Sequence, residues 1–314
     1  MNADTRQDDR PALRSCFKSL AVVLAIASLG PTLQAQTFVT NILTTTYLDS
    51  RVSNQTNNYG NAHTVKVVID NDVTSDGSMC RGLFQFPSRL WSYAPSDIVS
   101  ASVSFYVWED NTTNRNVTLY PLTTSFVQGT GYGTYTTNSA NWLTYDGVDP
   151  WNNPGGDFDT NYSVIAVKGP ILSDQNDRFF YWDVTPLLQN PTSYTELQNH
   201  GAILRIDETP VPTNSIMPRA PFTSAYDPAY TSAYWPALQV YIRPKLLNVT
   251  ISNAVFSFTM SNLTVGATNT IQRSSDMVNW TNDSSFVATG SLYQWSEPIQ
   301  PGWTKAFYRV QTQF

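Results

Sequence analysis

The chain has 314 residues, 41% hydrophobic and 13% aromatic, which is enough apolar material to form the core of one large domain or two ordinary ones. Only 13% of the residues are charged, and the formal net charge is −6. Because binding of phosphates requires a basic face and the sequence has no basic run, nucleic acid is excluded as an expected partner. The low charge, with many Thr, Asn and Ser residues, is typical of extracellular β proteins.

The N-terminus has the pattern of a secretory signal peptide. Arg14 and Lys18 precede an apolar run at residues 20–29, which is followed by Gly30, Pro31 and a small residue at Ala35. We predict cleavage after Ala35 and a secreted mature protein. The apolar run has about ten residues, whereas a membrane-spanning helix needs about 20, so we expect no membrane span in the mature chain.

Short segments rich in Val, Ile, Phe and Tyr recur between residues 37 and 243, separated by turn-forming residues. Their alternation of apolar and polar side chains predicts β-strands. The predicted strands are residues 37–48, 64–69, 81–86, 98–108, 117–122, 162–168, 178–184, 202–207 and 237–243. Residues 185–197 are expected to form at most one helical turn, because Pro186 and Pro191 limit a helix there. This number of short strands predicts a jelly-roll β-sandwich at residues 36–244.

A second domain is predicted at residues 245–314, after the sequence Arg243-Pro244-Lys245. Its expected strands are residues 249–260, 267–275, 285–295 and 305–313, with a turn at residues 274–280. This length is sufficient for a small immunoglobulin-like β domain. The predicted fold class is therefore all-β, with a jelly-roll β-sandwich followed by a small immunoglobulin-like β domain.

Residues 131–159 form a long segment dense in Gly, Asn, Thr and Pro, which excludes a helix or a central strand. The segment nevertheless contains several large aromatic residues. A loop of this kind usually packs on itself and has a function. Trp142 is flanked by the apolar residues Ala140 and Leu143 and is expected to anchor the loop in the core. Trp151 lies among polar residues and is expected to be exposed.

Alternate side chains of a strand point to opposite faces of its sheet. If the apolar residues of the predicted strands face the core, a set of aromatic and basic residues faces the other way: Lys66, Arg81, Tyr106, Trp108, Tyr120, Arg205 and Tyr241. Aromatic rings stack on sugars, and Lys or Arg pairs with carboxylates. We predict a polysaccharide-binding face with Trp151 at its rim. The alternative is that loops cover this face, with its rings in a second core layer and its cations in ion pairs.

Three carboxylates, Asp70, Asp72 and Asp76, lie in one turn and suggest a structural calcium ion, since hard cations prefer oxygen ligands. The spacing departs from the EF-hand loop, in which a Glu stands at the position of Arg81. A solvated turn is the alternative. A second oxygen-rich cluster contains Asp157 and Asp159.

Several patches occur in an order that resembles the DNRLRE-domain family over residues 40–243: TTTYLDS, NNYGNAHTVKV, RGLFQF, VSASVSFYV, VTLYPLTTSF, SANWLTYDG, PWNNPGGDFD, YWDVTPLLQ, NHGAILRID, PFTSAYDP and WPALQVYI. The resemblance implies a secreted β-sandwich module of the carbohydrate-binding kind, with alginate as a ligand of some members. Two departures weigh against an acidic glycan. Gln85 replaces a basic residue of the family, and Ser224-Ala225-Tyr226 lacks a charged pair.

The residues available for catalysis are few. His63 and His200 are the only histidines, so a catalytic triad or a zinc site would need an unusual arrangement. Carboxylates for a glycosidase exist at Asp183, Asp207 and Glu208, but the resemblance implies structural positions for them. We therefore predict a non-enzymatic, carbohydrate-binding-module-like protein that recognises a polysaccharide or a cell-surface glycan. The alternative is a structural or adhesive protein of the cell surface or matrix, and a polysaccharide lyase is the less favoured third hypothesis.

Overall fold

The computed structural model describes residues 36–69, 79–112, 115–173, 176–209, 218–263, 265–301 and 305–313. Their regular structure is mainly β-strand, arranged in antiparallel sheets, and the predicted all-β sandwich class is confirmed. They form two compact units. One unit contains the residues up to 245 together with 261–263, and the other contains 246–260 and the residues from 265 onward.

The first unit has two short α-helices, α1 (Thr185–Gln189) and α2 (Pro191–His200), among its described residues. Its strands are β1 (Gln36–Asn41), β2 (Thr45–Asp49), β3 (Asn57–Asn58), β4 (Thr64–Ile69), β5 (Met79–Phe84), β6 (Ile98–Val107), β7 (Val117–Pro121), β8 (Thr134–Tyr135), β9 (Val164–Ile165), β10 (Val167–Lys168), β11 (Arg178–Asp183), β12 (Ala202–Ile206), β13 (Arg219–Thr223) and β14 (Ala237–Ile242).

Twelve of these strands pair in two groups that β13 connects, and β3 pairs with β8 in a separate two-stranded sheet. In the group that we call the front sheet, the order is β1-β14-β6-β11-β10, and every neighbouring pair is antiparallel. In the back sheet, β5 pairs with β2, β4 and β12, β12 pairs with β7, and β7 pairs with β9. Strand β13 pairs with β4 and meets the front sheet at one position, where Phe222 lies opposite Val107.

The main core lies between the inner faces of the front and back sheets. Phe105 of β6 and Phe84 of β5 pack with their ring centroids 5.4 Å apart. Phe105 also packs edge-on against Trp182 and Phe222. All four of these side chains are fully buried. Each such side chain contributes about 1.5–3 kcal/mol through removal of its apolar surface from water.

A second core lies on the outer face of the back sheet. Leu48, Leu83 and Ile203 point away from the main core and are fully buried. They pack against residues of the segment 122–158, which are Leu122, Phe126, Ala140, Trp142 and Trp151. The long loop of the sequence therefore covers the outer face of the back sheet.

The buried side chain of Asn58 fixes the path of this loop. Its amide nitrogen donates hydrogen bonds to the carbonyl oxygens of Gln128 (2.7 Å) and Ala140 (2.9 Å). Its oxygen accepts from the backbone amides of Gly60 (3.1 Å) and Gly131 (2.7 Å). These four contacts satisfy buried backbone groups that the irregular loop leaves without partners.

Three predictions about elements in the first unit are wrong. The single strand predicted at residues 162–168 is divided into β9 of the back sheet and β10 of the front sheet. Residues 37–48 form two strands rather than one, because β1 pairs with β14 of the front sheet and β2 pairs with β5 of the back sheet. Residues 185–200 form two helices rather than one turn. Pro186 and Pro191 stand in the first turns of α1 and α2, where a helix needs no backbone N–H.

The second unit is a small sandwich of two three-stranded sheets. Its strands are β15 (Lys245–Ser252), β16 (Val255–Ser261), β17 (Thr268–Ser274), β18 (Thr281–Val287), β19 (Tyr293–Pro298) and β20 (Phe307–Gln313), in the orders β15-β16-β19 and β18-β17-β20. Phe256 and Tyr308 stack between the sheets with ring centroids 4.7 Å apart. The strand predicted at residues 249–260 is interrupted by Asn253 and Ala254, whose positive φ values of 51° and 59° form a tight hairpin turn.

The predicted signal peptide, residues 1–35, lies outside the described residues. Within the part of the chain that the structure describes, no helix has the length and apolar character needed to cross a membrane.

Candidate functional site

The residues predicted to form one glycan-binding face are divided between the two sheets. Tyr106 and Tyr241 belong to the front sheet, and Trp108 directly follows β6. Lys66, Arg81, Tyr120 and Arg205 belong to the back sheet. Because the sheets pack through their inner faces, their outer faces point in opposite directions. The prediction of a single shared face is therefore wrong.

Arg81 and Arg205, which lie on the covered side of the back sheet, both bind Glu208. Arg81 makes a two-pronged contact, with Nε 2.8 Å from Oε1 and Nη2 2.9 Å from Oε2 of Glu208. Its Nη1 donates to the carbonyl oxygen of Gly155 in the loop at 2.9 Å. Arg205 Nε donates to Oε1 of Glu208 at 3.0 Å. Both guanidinium groups are thus engaged within the protein.

The electrostatics of this cluster favour the ionised carboxylate. Burial alone would raise the pKa of Glu208, but the hydrogen bonds and charges of Arg205 and Arg81 outweigh burial and lower that pKa. Aromatic rings complete the enclosure, since Arg205 lies 4.5 Å from the ring centroid of Phe158 and Arg81 lies 5.0 Å from that of Trp142. The covered-face alternative therefore describes the back sheet.

Tyr120 and Lys66 occupy different surroundings on the back sheet. The ring of Tyr120 is half-buried and packs 5.1 Å from that of Phe158, within the enclosed cluster. Lys66 is exposed on β4, with its Nζ 5.5 Å from the ring centroid of Tyr47. Neither side chain contributes to a shared aromatic and basic surface with Tyr106 or Tyr241.

The expectation that Trp151 is exposed is wrong. Its side chain is 3% exposed, its Nε1–H donates to the carbonyl oxygen of Asn141 at 2.9 Å, and its ring packs against that of Tyr145. The loop supplies a partner for the single polar atom of the indole, so the apolar remainder can be buried. Trp142 is also buried, which confirms its predicted anchoring position.

The outer face of the front sheet has a different character. Three serines, Ser100, Ser102 and Ser104, alternate along the central strand β6 and point away from the main core. Their side chains are partly exposed. They form a polar floor that leaves space above the sheet, because serine is among the smallest side chains that carry a hydroxyl group.

Exposed aromatic residues flank this floor on both sides. Tyr181 of β11 lies opposite Ser104 and is 40% exposed. Tyr241 of β14 lies opposite Ser100 and is 37% exposed, and its hydroxyl accepts a hydrogen bond from Gln239 at 2.8 Å. The two rings, the serine row and the Gln239 amide make up what we call the front face.

The front face was missed in part by the sequence-based selection. Tyr241 was selected, whereas Tyr181 and Gln239 were not. Tyr181 stands in the run Phe179-Phe180-Tyr181-Trp182, in which consecutive aromatic residues hide the apolar-polar alternation. The signal that could have found Tyr181 is its position within the strand. It shares a face with Phe179, two residues before it, and points away from the buried Phe180, one residue before it.

Tyr106 is buried at one end of the front face, although it was predicted to contact a ligand. Its hydroxyl donates to Oδ2 of Asp177 at 2.7 Å, and its ring packs against those of Phe179, Tyr230 and Tyr234. Burial and the neighbouring Asp177 raise the pKa of Tyr106 far above its usual range. The residue therefore builds the wall of the front face.

Trp108 follows β6 beyond this wall and is 37% exposed. Its neighbours Glu109 and Asp110 are engaged in ion pairs, with Arg219 and with Lys168 and Arg178 respectively. Trp108 is therefore an accessible ring at a charged edge of the sheet, separate from the serine row.

The predicted calcium ligands Asp70, Asp72 and Asp76 lie outside the described residues. In the second oxygen-rich cluster, the buried carboxylate of Asp157 accepts hydrogen bonds from the backbone amides of Asn152 (2.9 Å) and Asn153 (2.8 Å). These bonds give Asp157 a structural role in the loop. Within the described ranges, no group of three or more His, Cys, Asp or Glu residues is placed to hold a metal ion.

Neither the models of known protein families nor the curated proteins match the chain. The resemblance to the DNRLRE-domain family therefore stays a prediction, and the candidate site is defined by its geometry and chemistry.

Proposed function

We propose that this chain is a secreted, non-catalytic glycan-binding protein and that the front face is its binding site. The observation that carries this proposal is the pair of exposed rings, Tyr181 and Tyr241, on either side of a row of small hydroxyl side chains. The sheet beneath is rigid, since its inner face is packed in the main core. A site on rigid strands is organised before the ligand arrives, which lowers the entropic cost of binding.

The chemistry of the front face suits a sugar. An aromatic ring offers a flat apolar surface for the C–H groups of a sugar ring, and the serine hydroxyls and the Gln239 amide offer both donors and acceptors for sugar hydroxyls. Hydrolysis of a glycosidic bond normally needs two carboxylates. Among the outward-facing positions of the five front strands, which the structure describes, there is one carboxylate, that of Asp183. It accepts a hydrogen bond from the backbone amide of Thr185 at 3.0 Å.

The proposal is tested by affinity electrophoresis of the full chain in gels containing neutral glucans, xylan, mannan, alginate or polygalacturonate. We expect retardation in at least one gel. Tyr181→Ala and Tyr241→Ala should each weaken binding by about tenfold, since an aromatic contact contributes about 0.5–1.5 kcal/mol beyond its buried area. Tyr135→Ala is the matched control, because Tyr135 is 60% exposed in the loop strand β8 and lies off the front face.

Two results would contradict the proposal. Unchanged migration in every gel would favour the structural or adhesive alternative, in which the same surface meets protein. Retardation that survives both front-face substitutions would place the glycan site elsewhere in the chain. Circular dichroism of each variant checks that the fold is retained, and we expect no change because both tyrosines are substantially exposed.

A further inference from the structure

We infer that the ligand of the front face is an extended, uncharged polysaccharide chain that crosses the strands diagonally from Tyr181 to Tyr241. This inference deepens the proposed function and rests on it. Two independent features of the front face carry it, the separation of the two rings and the distribution of charge around them.

The separation follows from the register of the sheet. Tyr181 lies opposite Ser104 on one side of β6, and Tyr241 lies opposite Ser100 on the other side. The two positions are four residues apart along the strand direction and two strand spacings apart across it. With a rise of about 3.4 Å per residue and a spacing of about 4.8 Å, their backbones are about 17 Å apart on the diagonal.

A ligand that contacts both rings must therefore span several sugar units, because a single sugar ring reaches only one of them. Ser102 lies midway between Ser100 and Ser104, on the line that joins the two tyrosines. Its hydroxyl and the neighbouring Gln239 amide are placed to bind hydroxyl groups in the middle of the chain. This geometry suits an internal stretch of polymer that contacts both rings.

The charge distribution disfavours an acidic ligand. Of the positions that alternate onto the outer face of the five front strands, the one charged residue is Asp183, which is negative and exposed. The cations within the front strands β10 and β11, Lys168 and Arg178, do not alternate onto the outer face, and they lie 3.4 Å and 3.3 Å from the carboxylate of Asp110. Arg81 and Arg205 are on the covered side and bind Glu208. A polyuronate would therefore meet the negative charge of Asp183 on this face, and the chain as a whole carries a formal charge of −6.

The test uses isothermal titration calorimetry of the full chain with oligosaccharides of one to eight units, prepared from the neutral polysaccharide that gives the strongest retardation. We expect affinity to rise with length until the oligosaccharide spans both tyrosines, and then to level off. Tyr181→Ala and Tyr241→Ala should both weaken binding of the longest oligosaccharide by about tenfold. For a disaccharide, only one of the two substitutions should have an effect. Tyr181→Phe and Tyr241→Phe keep the rings and should retain most of the affinity.

Charge selectivity is measured with the same protein on alginate and polygalacturonate at 50 and 500 mM salt. We expect no retention on either acidic polymer and a neutral-glycan affinity that changes less than twofold with salt. Salt-sensitive binding to a polyuronate, or full affinity for a single sugar unit, would overturn the inference while leaving the glycan-binding function intact. Absence of binding to every polysaccharide, neutral or acidic, would overturn the proposed function together with the inference.

Discussion

The two outer faces of the first unit differ in whether a loop covers them. The back sheet directs Leu83, Ile203, Arg81 and Arg205 outward, and the loop of residues 122–158 buries the first three and covers part of Arg205. The front sheet directs serines and tyrosines outward and leaves them partly exposed. Strand alternation determines which side chains leave the main core. Whether they reach solvent depends on the loops.

We propose that this difference separates the residues that stabilise the fold from those that bind a ligand. The covered face combines buried aromatic rings with a buried ion cluster, so substitutions there should affect folding. The front face consists of partly exposed side chains with few buried contacts, so substitutions there should affect binding and leave folding nearly unchanged. A matched pair of substitutions, one on each side, tests this division directly.

The largest expected effect is at Trp151. Trp151→Ala removes a 3% exposed ring from the second core and should lower the free energy of unfolding by about 3–5 kcal/mol. Trp108→Ala, at a ring that is 37% exposed, should lower it by less than about 1 kcal/mol. Urea denaturation followed by circular dichroism measures both. Equal losses in the two variants would show that the loop does not form a core of its own.

A smaller effect is expected at Glu208. Glu208→Gln leaves Arg81 and Arg205 without a counter-charge and should cost about 2–3 kcal/mol, somewhat below the range for a fully buried pair, because the carboxylate side chain is 16% exposed. Glu109→Gln is the matched control, since its partner Arg219 is 43% exposed and such pairs contribute less than about 1 kcal/mol. A loss at Glu208 no larger than that at Glu109 would mean that solvent screens the cluster.

Much of the fold could be predicted because the strands of a sandwich have a short-range signal. Strands β6, β7, β12 and β14 match their predicted segments to within a residue or two, since each alternates clearly between core and outer side chains. Strand β13 was missed because Pro221 lies inside it, and a proline argues against a strand. The structure accommodates Pro221 because β13 pairs fully with β4 and meets β6 only at Phe222.

The candidate site was less predictable because its deciding contacts are distant in sequence. Arg81 and Glu208 are separated by 127 positions, so no local pattern shows that the guanidinium is occupied. The assignment of β6 and β5 to different sheets likewise depends on pairing rather than on alternation. Tyr241 was selected correctly as an outward residue, but its counterpart Tyr181 required the register between β11 and β6.

The smallest expected effect is the loss, in acid, of the stabilisation that Glu208 provides. This effect is specific to the covered face. The pKa of Glu208 is lowered in the folded protein, because the hydrogen bonds and charges of its two arginines outweigh its burial. In the unfolded chain, the pKa returns to about 4.3. The stabilisation is therefore fully present above that value and is lost as the pH falls through the lower pKa of the folded state.

The difference in unfolding free energy between the wild type and Glu208→Gln isolates this contribution, since all other carboxylates are common to both proteins. We expect a constant difference between pH 7 and about pH 5, and a decrease from there to pH 3 as the protonated glutamic acid comes to resemble glutamine. Urea titrations at four pH values measure it. A difference that stays constant down to pH 3 would mean that the arginines stabilise position 208 through its shape and hydrogen bonds rather than through its charge.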